Sequence, residues 1–396
     1  MFEHLERLPQ DPILGLSALC KEDENPQKVD LTVGVYKDET GETPVFEAVK
    51  RAQQQLTQEE VSKAYIAQAG DAKFNTGIQQ LLMGQGNPVL AQGRVSSVQT
   101  PGGCGALRLG AELIRIASGT AKVWVSSPTW ANHIPLIGSV GLQICEYRYY
   151  DATTHGVDFS GMLEDLNEGA VAGDVVLLHG CCHNPCGADL SQDQWQAVVA
   201  LCSEKGLVPF VDIAYQGLGD GLDEDAAGLR QLVSELPEVM IAASCSKNLG
   251  LYRERTGAVV FVGKDSSSAE ILASQGMKAA REIYSMPPAH GGILAGRVLT
   301  DDVLGALWRA ELAAMCGRIN ALRSLLDEKL TAATGDDFGF IRREKGMFSF
   351  LGLSPAQVDR LREEFSVYMV GSSRINVAGV NRANVDYLAQ SVASVL

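Results

Sequence analysis

The sequence predicts an α/β fold, a mostly parallel sheet flanked by helices, accompanied by a smaller α+β domain. Two features carry that expectation. Short runs rich in Val, Ile and Phe recur along the middle of the chain with helix-like segments between them, and a single long amphipathic stretch follows them. Runs apolar along their whole length suit strands buried on both faces, and their alternation with helices argues for an open sheet.

In chain order the expected strands are Ala121-Lys-Val-Trp-Val-Ser126, Asp174-Val-Val-Leu-Leu-His179, Leu207-Val-Pro-Phe-Val-Asp212, Val239-Met-Ile-Ala-Ala-Ser244 and Ala258-Val-Val-Phe-Val262. Helices are expected over 106–118 and over 191–205, the second opening on Ser191 as N-cap and closing on Gly206. From Asp301 to Leu330 an apolar stripe (Leu304, Leu307, Trp308, Leu312, Met315, Ile319, Leu322, Leu326) predicts one helix about 45 Å long, enough to lead from one domain into another. The expected division is an arm and part of the small domain over 1–44, a large domain over 45–314, and the rest of the small domain over 315–396.

Composition narrows the function. With 33 Lys and Arg against 48 Asp and Glu the net charge is −15, and no basic cluster interrupts that acidity, so nucleic acid is excluded as a partner. No apolar run approaches the roughly 18 to 20 residues of a membrane span, and the first residues are charged and interrupted. The expectation is a cytoplasmic protein, its nine cysteines thiols in a reducing compartment rather than a disulfide framework.

In open α/β sheets ligands bind beyond the carboxyl ends of the strands, and three of the expected strands deliver polar residues there. Lys247 follows one such strand in Ser244-Cys-Ser-Lys247, with Arg255 eight residues on. A lysine in a partly dry pocket loses hydration of its charged form, so its pKa falls and the neutral amine can attack an aldehyde. Ser244, Ser246 and Arg255 would suit a phosphate, and the combination is what a pyridoxal phosphate site needs. The plainer alternative is an exposed loop lysine beside a solvated arginine.

Asp212 ends a second run, and a buried carboxylate needs a cationic partner; a pyridinium nitrogen would serve, as would a structural ion pair, and a helix N-cap is the third reading. Tyr215 and Asn184 could donate hydrogen bonds to a phenolic oxygen. Thr100-Pro-Gly-Gly-Cys-Gly-Ala106 precedes a helix and would turn the N–H groups of Gly103, Cys104 and Gly105 toward an anion. Trp130 could stack on a ring or belong to the core. His179-Gly-Cys-Cys-His-Asn-Pro-Cys186 has metal-ligand composition, but no second paired cluster completes four ligands, so no metal is assigned.

Taken together the chain resembles the class I aminotransferases of fold type I, and within them the aspartate and aromatic amino acid enzymes. The resemblance runs end to end through Asp11-Pro-Ile-Leu-Gly-Leu, Gly34-Val-Tyr-Lys-Asp-Glu-Thr-Gly, Thr100-Pro-Gly-Gly-x-Gly-Ala, His179-Gly-Cys-Cys-His-Asn-Pro, Asp212-x-Ala-Tyr-Gln-Gly, Ser244-x-Ser-Lys-Asn, Pro287-Pro-Ala-His-Gly and Arg374-x-Asn-Val-Ala-Gly. It implies pyridoxal phosphate as cofactor, amino acids and 2-oxo acids as substrates, and ping-pong transfer through pyridoxamine phosphate. Lys247 would form the Schiff base and shuttle the Cα proton. Asp212 would pair with the pyridine nitrogen, with Tyr215 and Asn184 on the phenolic oxygen, and Ser244, Ser246, Arg255, Gly103 and Cys104 would hold the phosphate. Trp130 would line the site.

The resemblance further implies that Tyr65 reaches the phosphate from the partner subunit of a homodimer. Gly34, Trp130, Asn184 and Arg374 would meet the substrate, with Arg374 forking onto its α-carboxylate. Arg281 would cross the interface to a distal carboxylate. Cys104 departs from the usual Thr or Ser, replacing a hydroxyl by a weak thiol donor. Met286 departs from the Asn or Ser of these families, whereas Lys37 and Thr43 follow the aspartate pattern, so aspartate and aromatic substrates both stay open. The other readings are a β-lyase or decarboxylase on the same cofactor, and a zinc or thiol protein built on the Cys181 to Cys186 cluster.

Overall fold

The computed structural model describes every residue except 9–11, so Asp11, which opens the first motif above, lies outside the described residues. The chain forms two compact units, one of Pro44–Asn184 with Ala188–Arg318, the other of Met1–Thr43, Pro185–Gly187 and Ile319–Leu396.

The larger unit is built on seven strands, β1 (Val95–Pro101), β2 (Lys122–Ser127), β3 (Gln143–Arg148), β4 (Val175–His179), β5 (Val208–Ile213), β6 (Val239–Ser244) and β7 (Thr256–Val262). They lie in the order β1-β7-β6-β5-β4-β2-β3, all parallel except β7, which runs antiparallel to both β1 and β6. The five expected runs are all strands. The two that sequence reasoning missed, β1 and β3, are the sheet's edges, where one flank lacks a neighbouring strand and polar residues interrupt the apolar pattern. In β1 the buried Gln99 has its amide fully engaged, accepting from Asp71 N at 2.8 Å and donating to Pro288 O at 2.8 Å.

Helix α1 (Gly102–Ala117) begins four residues before the expected Ala106, so the glycine stretch is its first turn rather than a loop ahead of it. The correction keeps the chemistry, because first-turn N–H groups have no acceptor within the helix. Gly102 has φ +69°, and a Cβ there would stand 2.6 Å from Arg255 Nη2. Helix α2 (Gln192–Lys205) starts on a reciprocal Ser191–Gln194 capping box and ends on a left-handed Gly206, as its sequence signals require. Leu107, Val123, Leu177, Phe210 and Val259 fill the core between α1 and the sheet. Helix α3 (Ser266–Tyr284) also packs on this core, through Ala279 and Ala280.

Helix α4 (Asp302–Thr334) is continuous over 33 residues, about 50 Å, and belongs to the larger unit through Arg318 and to the smaller from Ile319. In the smaller unit the strand Phe348–Phe350 pairs antiparallel with Arg374–Asn376, and Val29–Asp30 pairs parallel with Val367–Tyr368. Leu31, Leu326, Ile341, Leu361, Ile375 and Leu388 form its core. No helix among the described residues is long and apolar enough to cross a membrane.

Candidate active site

One edge of the large sheet gathers the ends of β1, β2, β4, β5 and β6 and the start of β7. The sequence pointed to three of these; the turn after β1 and the loop after β2 join them. Lys247 leaves β6 half-buried, with Nζ 4.8 Å from the centre of the buried Tyr215 ring, so it is not an exposed loop lysine. Burial, reinforced by the Arg255 charge, lowers its pKa from the usual lysine value against the opposing pull of Asp212 and Cys104. An amine so placed has more of its neutral form available at a given pH to act as nucleophile or base.

Asp212 lies within β5, paired with His179 across the ladder, which removes the N-cap reading. Its partner is His133, whose Nε2 stands 2.9 Å from Oδ2 with both groups buried. Burial pushes the Asp212 carboxyl up, but the His133 hydrogen bond, helped by the nearby Lys247 charge, outweighs it and holds it below the usual aspartate value. The carboxylate thus stays ionised in a dry place, and a second cation would find it charged.

His133 continues into a buried relay that sequence reasoning missed. Its Nδ1 lies 2.7 Å from Thr129 Oγ1, which is 3.2 Å from His179 Nε2; the His179 and His183 rings are 3.9 Å apart, and His183 Nε2 lies 3.0 Å from Ser126 Oγ. Burial holds His179 down at about 3 and His183 well below the usual histidine value, so both are neutral spacers. The available signal was three histidines following two adjacent strands, β2 and β4, but spacing alone does not reveal that those strands are neighbours.

The residues expected to hold an anion lie close together. Ser244 Oγ donates to Ser246 Oγ at 3.1 Å and accepts from Ser246 N at 3.3 Å. Arg255 sits in the left-handed region at φ 53°, its Nη1 bonded to Tyr252 O at 3.0 Å, and its guanidinium lies against Gly102. A Cβ on Gly103 would come within 3.2 Å of Ser244 Cβ. Cys104 is half-buried in the first turn of α1, with Asn132 Nδ2 3.9 Å from its sulfur. Trp130 is half-buried, packs against the large core and sets its ring edge-on to His133 at 5.3 Å. Asn184 is buried beyond the end of β4.

Two expected residues stand away from this pocket within the chain. Tyr65 is 91% exposed, and Arg281 is exposed near the end of α3. Gly34 and Arg374 belong to the smaller unit. There Arg374 Nη2 donates to Thr32 O at 2.7 Å, and its guanidinium lies 4.6 Å over the Phe348 ring. Lys37 pairs with Asp30 at 3.1 Å, and Thr43 Oγ1 donates to Tyr36 O.

The cysteine cluster resolves differently from its composition. Cys181, Cys182 and Asp225 have ligand-type atoms within 4.8 Å of one another. Asp225, however, accepts N–H groups from Gly217, Gly219 and Asp220 at 2.8 to 2.9 Å, pinning a turn. A hydrogen bond with Cys182 pulls the Cys181 thiol down, yet burial and nearby carboxylates drive it up to about 12.

The site therefore combines an amine of lowered pKa, an ionised buried carboxylate and a group of two hydroxyls and a guanidinium, which suits covalent handling of a carbonyl compound bearing a cation and a phosphate. Comparison with known proteins agrees with that chemistry. The family "Aminotransferase class I and II" matches residues 26–392. The chain is 47% identical over 397 residues to an aspartate aminotransferase of Escherichia coli (strain K12), and 45% identical over 396 residues to an aromatic-amino-acid aminotransferase of Paracoccus denitrificans, with 100% of both chains covered in each case. The structure of an aromatic-amino-acid aminotransferase from Burkholderia pseudomallei covalently bound to pyridoxal phosphate superposes with a TM-score of 0.98 at 43% identity, covering 100% of this chain and 99% of that one. The matches extend over essentially the whole chain, which belongs to the class I and II aminotransferases.

Proposed function

We propose that the chain transfers the amino group of aspartate, of aromatic amino acids such as tyrosine and phenylalanine, or of both, to 2-oxoglutarate, with pyridoxal phosphate as cofactor. The observation that carries the reading is Lys247, an amine of lowered pKa set between the Asp212 carboxylate and the Ser244, Ser246 and Arg255 cradle. The donor set fits the cofactor. Gly102 and Gly103 lack the side chains that would crowd Arg255 and Ser244, two hydroxyls and a guanidinium can take a dianion, and a buried ionised carboxylate can accept a hydrogen bond from a pyridinium N–H.

Bound there, pyridoxal phosphate supplies an aldehyde for amines and a ring that draws electrons from the substrate Cα. Lys247 would be the amine that holds the aldehyde and the base that moves the proton at the substrate Cα. Asp212 would keep the ring nitrogen protonated, and the His133 hydrogen bond keeps Asp212 ionised so that it could do so. Tyr215 and Asn184 donate to the phenolic oxygen, and Trp130 lines the ring's pocket. Ser244, Ser246, Arg255, Gly103 and Cys104 hold the phosphate, with the Cys104 thiol a weaker donor than a hydroxyl. Gly34, Trp130, Asn184 and Arg374 bind the substrate.

The exposed Tyr65 and Arg281 act across a homodimer interface, Tyr65 on the partner's phosphate and Arg281 on a distal carboxylate. The proposed setting is the cytoplasm. Borohydride reduction of the holoenzyme followed by peptide mapping is expected to find pyridoxyl on Lys247, and label on another residue refutes the assignment. A half-reaction with aspartate should release oxaloacetate and leave pyridoxamine phosphate, which a β-lyase or decarboxylase would not do. Measured side by side for aspartate, tyrosine and phenylalanine, kcat/KM ranks the substrates. Arg281→Leu should lower kcat/KM for aspartate far more than for phenylalanine; equal losses would refute its role.

A further inference from the structure

In the smaller unit Asn376 is buried, and its side-chain amide bonds both to another segment and to its own. Its Nδ2 donates to two carbonyls, Val33 O at 2.7 Å and Val35 O at 2.8 Å, while Oδ1 accepts from Ala378 N at 3.0 Å. Val35 N also donates to Val33 O at 2.9 Å, closing a three-residue turn centred on Gly34. One carboxamide therefore clips both sides of that turn. The turn is pressed from another side as well, since a Cβ on Gly34 would meet Phe348 Cζ at 2.5 Å.

Arg374, two residues before Asn376 on the same short strand, binds the preceding carbonyl, Thr32 O, and lies over the same Phe348 ring. Asn376 N adds a backbone bond to Leu31 O at 2.9 Å. The strand 374–376 thus grips residues 31, 32, 33 and 35 in succession, and Gly34 is the residue left between the grips. A backbone turn with no strand or helix bonds of its own would otherwise open easily.

We infer that Asn376 is a positioning residue for substrate, fixing the Gly34 turn to the strand that carries Arg374 so that the two act as one preformed clamp. The inference rests on the proposal that Gly34 and Arg374 meet the substrate. A clamp assembled before binding does not charge its ordering entropy to the substrate. Loss of Asn376 then weakens binding of amino acid and 2-oxo acid alike and leaves the proton transfer at saturation nearly intact.

The test uses holoenzyme in single-turnover half-reactions with aspartate and with 2-oxoglutarate. Asn376→Asp keeps the shape but turns a double donor into an acceptor facing two carbonyls. It should raise the substrate Kd about 10- to 100-fold, change the rate constant at saturation less than about threefold, and leave the visible absorption of the bound cofactor and its pH midpoint unmoved. Asn376→Ser, which keeps one hydroxyl donor, should fall between. A Kd within twofold of wild type, or a saturating rate that falls as far as Kd rises, overturns the inference.

Hydrogen exchange on the unmodified enzyme tests it without relying on the variants' folding. The Val35 amide should be protected before substrate is added, at a level close to that of the Asn376 amide; rapid exchange that slows only with substrate overturns the preformed clamp. Arg374→Lys separates the two layers. If it raises Kd while Asn376→Asp does not, positioning by Asn376 is wrong; if Arg374→Lys leaves Kd unchanged, the underlying assignment of Arg374 is wrong.

Discussion

Asp212 in the larger unit and Glu344 in the smaller are both buried carboxylates beside a basic side chain, and they are driven in opposite directions. Burial pushes both up. At Asp212 the His133 hydrogen bond, helped by the nearby Lys247 charge, reverses that push. At Glu344 nothing does, and the carboxyl rises from 4.5 to about 7 although Arg323 stands 3.3 Å away. The difference lies in how the partner's donors are used. The Arg323 guanidinium also donates to the carbonyls of Ile341, Lys345, Gly346 and Phe348 at 2.6 to 3.0 Å. Glu344 Oε1 has no hydrogen bond among the described residues. His133 commits one nitrogen wholly to Asp212. A cation nearby is thus insufficient to ionise a buried acid when its donors are largely committed to other acceptors.

The comparison is tested most severely at Arg323. Arg323→Met removes a cation that holds four carbonyls, and chemical denaturation should show a loss of roughly 3 to 5 kcal/mol. A loss under 1 kcal/mol would mean that the guanidinium is not what organises residues 341–348. Next is Asp212→Asn, which should lower kcat/KM by about 10² to 10³-fold, or ~2.7 to 4 kcal/mol in the transition state, with the fold unchanged by circular dichroism. The same variant should lower the Lys247 pKa further, because the Asp212 charge is what raises it.

A smaller effect separates the two acids by pH. Glu344 has its pKa raised on folding, so its contribution to stability is fully present below pH 4.5 and is lost as pH climbs through about 7, on the order of 3 kcal/mol in all. The thermal midpoint of wild type should fall over that window relative to Glu344→Gln, which lacks the titrating group; parallel curves would refute the assignment. Asp212 has the opposite sign: its contribution is present above the unfolded value of 3.8 and is lost only as pH drops through its lower folded value. The smallest change expected is His133→Phe. With the donor gone burial dominates, the Asp212 carboxyl rises, and kcat/KM should drop about tenfold with the acid limb of its pH profile moved to higher pH.

Much of this was legible in the residues themselves. The five interior strands announced themselves because a strand covered on both faces must be apolar along its length, and Ser191 and Gly206 marked α2 because helix ends need particular side chains and dihedrals. The edge strands β1 and β3 stayed hidden behind their polar residues. Lys247, Asp212, Arg255 and the serines were legible from their place after apolar runs, since ligands collect at strand ends. His133 was not, and neither was the Cys181, Cys182 and Asp225 grouping, whose composition resembles a metal site while its geometry pins a turn.

The sequence by itself determined the fold class, the strands of the sheet's interior, the lysine of the pocket and the family, because periodicity and strand-end residues are local properties carried by consecutive positions. Only the tertiary structure decided that β2 and β4 lie side by side so that His133, Thr129, His179 and His183 connect, that α1 begins at Gly102 against Arg255, and that Asn376 clips the Gly34 turn. Those pairings join residues tens to hundreds of positions apart. Strand order and the direction of a single donor set them, and neither is written in any one stretch of the chain.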